Sequence, residues 1–115
     1  MQWTPLTDSA QLEQISQDSF NHPIVLFKHS TRCSISDVAK SRLDRANQPD
    51  ALPFYYLDLI QYRAISNEIA QRFNVYHESP QILIIHQGEC IYDQSHTGIT
   101  MDDILDNLPT KGLIS

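Results

Sequence analysis

Cys33 and Cys90 are the only cysteines in the 115-residue chain, and their surroundings differ. Cys33 lies in Phe27-Lys28-His29-Ser30-Thr31-Arg32-Cys33-Ser34-Ile35-Ser36, where the apolar residues that follow (Ile35, Val38, Ala39, Leu43, Ala46) have helical spacing running to about Asn47. It therefore stands at the beginning of a helix. Backbone N–H groups there have no intrahelical partner, and the positive end of the helix dipole favours thiolate over thiol. Arg32 adjoins the cysteine and His29 lies one loop away, and cations so placed act in the same direction. Thiolate is the form that attacks a disulfide, so this position suits thiol–disulfide exchange better than the packing role of a small core hydrophobe.

The third residue after Cys33 is Ser36, where a dithiol oxidoreductase would carry its second cysteine. A hydroxyl cannot close a disulfide. It can donate a hydrogen bond toward the Cys33 thiolate, or bond its own backbone as a first-turn serine often does. Cys90 follows the turn Gln87-Gly88 and falls at the far end of the strand pair that this turn joins. Several strand residues at roughly 3.3 Å each put it beyond the roughly 7 Å limit for bridging Cα atoms. Packing is its expected role. Ser79-Pro80 precedes a strongly β-branched run, and a proline that begins a strand loses no ladder bond. In the cis form, which X-Pro bonds take at modest cost, it would leave the Ser79 backbone open to pair with an extended thiol ligand. His22, His77, His86 and His96 show no ligand spacing and read as surface or satisfied residues. His29 with Cys33 is too small a donor set for a metal, and none is expected.

The elements that would hold these residues follow from periodicity and turn chemistry. Asp8 and Gln11 resemble a capping box before a helix over Ser9–Ser19, and Ile24-Val25-Leu26-Phe27 reads as a strand buried on both faces. After the Cys33 helix, Phe54–Asp58 is an aromatic strand, and Ile65, Ile69, Ala70 and Phe73 form a helix ending at Asn74, which tolerates the left-handed conformation. Gln81–His86 and Glu89–Asp93 form a hairpin about Gln87-Gly88, and Thr100 with Asp103 caps a last helix. A strand-helix-strand unit gives a parallel pair and the hairpin adds antiparallel partners, so the expectation is an α/β fold with a four-stranded mixed sheet flanked by helices, preceded by an extra N-terminal helix. With a cysteine after the first strand and a proline before the third, the pattern is thioredoxin-like.

Length and composition support a single domain over residues 1–115. No run of about 18 apolar residues occurs, and Met1-Gln2-Trp3-Thr4 lacks the features of a signal peptide, so a cytoplasmic protein without membrane contact is expected. The net charge of −6 argues against nucleic acid as a partner. Five of the eight basic residues (Lys28, Arg32, Lys40, Arg42, Arg45) nonetheless cluster about Cys33, and the last three read as a solvated helix face.

The segment from Phe27 to Ser36 closely resembles the signature of the monothiol bacilliredoxins, and the similarity extends to Tyr56-Leu57-Asp58, Glu78-Ser79-Pro80-Gln81 and Ile99-Thr100. Ser34 stands where that family usually has proline, which adds a backbone donor near the sulfur. The resemblance implies a monothiol oxidoreductase that removes bacillithiol from S-bacillithiolated proteins through Cys33, with no bound cofactor and bacillithiol itself as thiol co-substrate. His29, Thr31, Arg32, Ser34, Ser36, Ser79 and Pro80 would stabilise the thiolate or bind substrate, and the malate carboxylates of bacillithiol would suit Arg32 and Lys28. Two other readings use the same thiol: a redox-sensing adaptor without turnover, and a glutaredoxin- or thioredoxin-like reductase working with another small thiol.

Overall fold

The computed structural model describes residues 1–109. In chain order the elements are β1 (Trp3–Pro5), α1 (Ala10–Asp18), β2 (Ile24–His29), α2 (Ser34–Asp44), β3 (Phe54–Asp58), α3 (Arg63–Arg72), β4 (Gln81–His86), β5 (Glu89–Ser95), a 3₁₀ turn (His96–Gly98) and α4 (Met101–Asp106). The strands form one mixed sheet in the order β1-β3-β2-β4-β5. β1, β3 and β2 are parallel, whereas β2–β4 and β4–β5 are antiparallel.

The sheet has five strands, where sequence spacing gave four. Trp3-Thr4-Pro5 is too short to show a period, and its proline confines it to an edge. Its anchor is the Trp3 ring, which packs against Phe27, Phe54 and Tyr56 and donates its indole N–H to Asp44 Oδ1 at 2.7 Å. Half of the capping box expected at α1 forms: Gln11 Oε1 accepts the Asp8 N–H, whereas Asp8 Oδ1 accepts from the Ala10 N–H and the Gln11 N–H goes to the Asp8 carbonyl.

Period-2 alternation in β2 and β4 divides the core into two layers. Ile24, Leu26, Leu83 and Ile85 face α1 and α3, where they meet Leu12, Ile15, Ile65 and Ile69. Val25, Phe27, Ile82 and Ile84 face α2 and α4, meeting Ala39, Leu43 and Ile104. β2 is buried at all six positions, as a central strand covered on both faces must be. Asn74 adopts φ 55° after α3, and Gln87 and Gly88 turn the hairpin at φ 53° and 78°. The Ser19 carbonyl and hydroxyl accept from the Gln87 and Gly88 N–H groups, so the end of α1 fixes that turn. α2 ends at Asp44, short of the expected Asn47, because the chain loosens through Ala46, whose N–H bonds to Leu43 O, before Pro49.

Candidate active site

β2 delivers its last residues to the sheet end where α2 begins. Cys33 is the N-cap of α2, with extended φ −119° and ψ 120°, so its sulfur sits where the first helical N–H groups point outward. Its own N–H bonds to Ser30 O at 3.2 Å, and its carbonyl accepts the Asp37 N–H at 3.1 Å to start the helix. The cysteine is half-buried and free. Thr31, Arg32 and Ser34 around it are exposed, and the Arg32 N–H points to Ser30 Oγ at 3.4 Å.

Ser36 is fully buried one turn into α2. Its hydroxyl lies 2.6 Å from His29 Nδ1 and accepts the Ser30 N–H at 3.0 Å. Among the described residues no hydrogen bond joins it to Cys33, so the side chain expected to donate to the sulfur is engaged with His29 instead. His29 is itself buried, and its other nitrogen, Nε2, stands 3.5 Å from Asp37 Oδ1. Burial pushes the imidazole below its ordinary range, the Asp37 carboxylate draws it back up, Lys40 opposes that, and Asp58 adds a smaller upward pull. Asp37 carries no sequence signal beyond a charge in a first helical turn, and only the folded chain brings it to His29.

The register Lys28–Gln81 sets Ser79 and Pro80 beside the end of β2, at the same end of the sheet as Cys33. The Ser79–Pro80 bond is cis, and the Pro80 carbonyl accepts the His96 N–H at 3.0 Å, joining this loop to the 3₁₀ turn. Between that turn and α2 lies a cavity of about 140 Å³, lined by Ser34, Ile35, Val38, Ala39, Arg42, His96 and Thr97.

The basic cluster is only partly a surface feature. Lys28 points to the opposite face of the sheet from His29 and is fully buried, with Nζ 3.2 Å from His77 Nδ1. It does not line the site around Cys33, which removes it as a partner for a substrate carboxylate there. Alternation explains the error, since a strand sends successive side chains to opposite faces. Arg42 donates to the carbonyls of Thr97 and Ile99 and so braces the 3₁₀ turn, and Lys40 pairs with Asp44 at 2.8 Å beside the Trp3 and Tyr56 rings. Arg32 and Arg45 remain exposed.

Cys90 lies at the other end of the sheet, opposite Ile85, with its Sγ–H donating to Tyr92 O at 3.3 Å. Burial pushes its thiol up to about 11. The site thus has one thiol, a buried hydroxyl at the position of a second, and an exposed arginine preceding the cysteine in the chain. Such a site can exchange a disulfide but cannot close one internally.

Comparison with known proteins agrees with this geometry. The family model described as the monothiol bacilliredoxin BrxC matches residues 4–104. Among solved structures, a protein with a thioredoxin fold is 30% identical with a TM-score of 0.80, the match covering 90% of this chain and 91% of that one. The thioredoxins of Malassezia sympodialis (15% identity, TM-score 0.69, 91% and 86% covered) and Fasciola hepatica (17%, 0.68, 90% and 93%) share the fold.

Proposed function

Since the chain belongs to the monothiol bacilliredoxin family of thioredoxin-fold thiol oxidoreductases, we propose that it removes bacillithiol from S-bacillithiolated protein cysteines through Cys33. The observation that carries this reading is the pairing of a helix-capping cysteine with a buried serine three residues on, while the second cysteine sits at the far end of the sheet. With no internal resolving thiol, the enzyme must exchange one external thiol for another.

The cycle has two displacements. Cys33 thiolate attacks the bacillithiol sulfur of the mixed disulfide; that S–S bond breaks, a new one forms to Cys33, and the protein sulfur leaves as thiolate and takes a proton. A second bacillithiol thiolate then attacks the bacillithiol sulfur held on Cys33, releasing bacillithiol disulfide and the Cys33 thiolate. Arg32, exposed and next to Cys33 in the chain, is the cation available to a malate carboxylate of the bound thiol, since guanidinium matches carboxylate geometry. The proposed partners are therefore thiolated proteins and bacillithiol, with no resident cofactor.

Intact mass after incubation with bacillithiol disulfide at neutral pH tests the reading. One adduct on Cys33, absent from Cys33→Ser and removed by free bacillithiol, is the expected result. Equal labelling by glutathione disulfide would overturn the assignment to bacillithiol.

A further inference from the structure

We infer that His29, oriented by Asp37, controls ionisation of Cys33 through the Ser36 hydroxyl, so that Asp37, His29, Ser36 and Cys33 form one proton path. The inference rests on Cys33 being the attacking thiol, but not on which small thiol it exchanges. The argument is a count of protons. A hydroxyl has one donor and two acceptor lone pairs, and a carboxylate only accepts. Asp37 near Nε2 therefore selects the tautomer with its proton on Nε2. In a neutral ring this leaves Nδ1 as an acceptor, and the 2.6 Å contact must be Ser36 O–H donating to it. The Ser30 N–H occupies one Ser36 lone pair, and the other remains. In that state Ser36 can accept from the Cys33 thiol but cannot donate to its thiolate.

Protonation of His29 reverses the direction. Nδ1–H then donates to Ser36 Oγ, both lone pairs are filled, and the hydroxyl proton is free to turn toward Cys33. Cys33 and Ser36 are the N-cap and the third helical position of the same first turn of α2, which places both side chains at that end of the helix. Ionisation moves the Cys33 proton to Ser36 Oγ as the Ser36 proton passes to Nδ1, leaving a thiolate facing a donor and an imidazolium between Ser36 and Asp37. Of the groups packed on His29, burial among the Phe27 and Tyr56 rings is the strongest and opposes the imidazolium, as does Lys40 from α2, while Asp37 from α2 and Asp58 from β3 favour it, so the thiolate formed at Cys33 supplies the further negative charge. His29 is thus a positioning residue acting through Ser36.

The test is the pH profile of Cys33 alkylation by iodoacetamide, together with NMR titration of the His29 ring. His29→Asn should move the alkylation midpoint up by roughly one pH unit. Asp37→Asn should move it less, because that carboxylate is largely exposed. Because coupling between two sites is reciprocal, His29 in wild type should titrate higher than in Cys33→Ala by the same amount. That comparison leaves the His29 packing untouched and decides the matter even where His29→Asn fails to fold. Identical His29 titrations with and without the Cys33 thiol would overturn the path. Neither readout uses bacillithiol, so failure of the bacillithiol assay and failure of this path are separate results.

Discussion

Cys33 and Cys90 are the same chemical group in opposite surroundings. Cys33 has unpaired helical N–H groups before it and solvent beside it, whereas Cys90 is held among apolar side chains with its thiol pushed up to about 11, so at neutral pH almost none of it is thiolate. Cys33→Ser should abolish disulfide exchange with the fold retained, and Cys90→Ser should leave the exchange rate within a few-fold of wild type. Stopped-flow reduction of a chromogenic disulfide measures both, and a large loss in Cys90→Ser would refute the separation of the two thiols. The position of Cys33 was legible in the sequence because a change of hydrophobic period marks where the helix starts. The partners of Ser36 and Lys28 were not. Ser36 bonds a residue seven positions earlier, and Lys28, which strand alternation sends to the face opposite His29, meets His77 there, a partner that only the folded chain brings to it.

At the scale of elements, those with a strong internal period stood out: β3 and β4 have the ends that their apolar runs and flanking prolines imply, and Thr100 caps α4 by accepting the Asp103 N–H at 3.1 Å. β1 escaped because three residues hold no period and its stability is tertiary. Its contribution can be measured through Trp3, whose ring lies 5.5–6.0 Å from those of Phe27, Phe54 and Tyr56 and whose indole nitrogen holds Asp44. Trp3→Ala should lower unfolding free energy by about 2–3 kcal/mol, less than the ~3–5 of a fully buried aromatic because the residue is only partly buried. Urea titration at pH 7 is the check; an unchanged midpoint would make β1 a passive edge. Because Lys40 reaches over the same ring and Tyr56 packs against His29, loss of Trp3 should also loosen the start of α2. Faster amide exchange in its first turns would record that.

For the whole molecule, the buried ammonium of Lys28 ties stability to pH. Among the described residues no carboxylate pairs with it, and its recorded partner is His77 Nδ1, which Ser66 Oγ also approaches at 3.3 Å. Desolvation lowers the amine from 10.5 to about 8. Between those values the unfolded chain keeps a proton that the folded chain has released, so folding stability attributable to Lys28 rises as pH goes from about 8 to 10.5 and is lost again as pH falls back through 8. The full difference is about 3 kcal/mol. Cys90 acts in the opposite sense: its raised thiol makes the unfolded chain ionise first, removing stability from about 9 to 11, and the raised Tyr55, Tyr56 and Tyr92 phenols add to that loss above 10. The Lys28 contribution therefore dominates only between pH 8 and 9, and a difference curve isolates it. Lys28→Met keeps the volume of the side chain and removes the charge, so it should unfold at higher urea than wild type at pH 7, with the gap closing as pH rises toward 10. A gap that is constant with pH would overturn this account, because it would show an ammonium that reaches water and gains or loses its proton alike in the folded and unfolded chains. Lys28 and His29 are thus adjacent in sequence and opposite in effect: one burdens the fold from the α3 side, while the other is held on the α2 side, where the chemistry takes place.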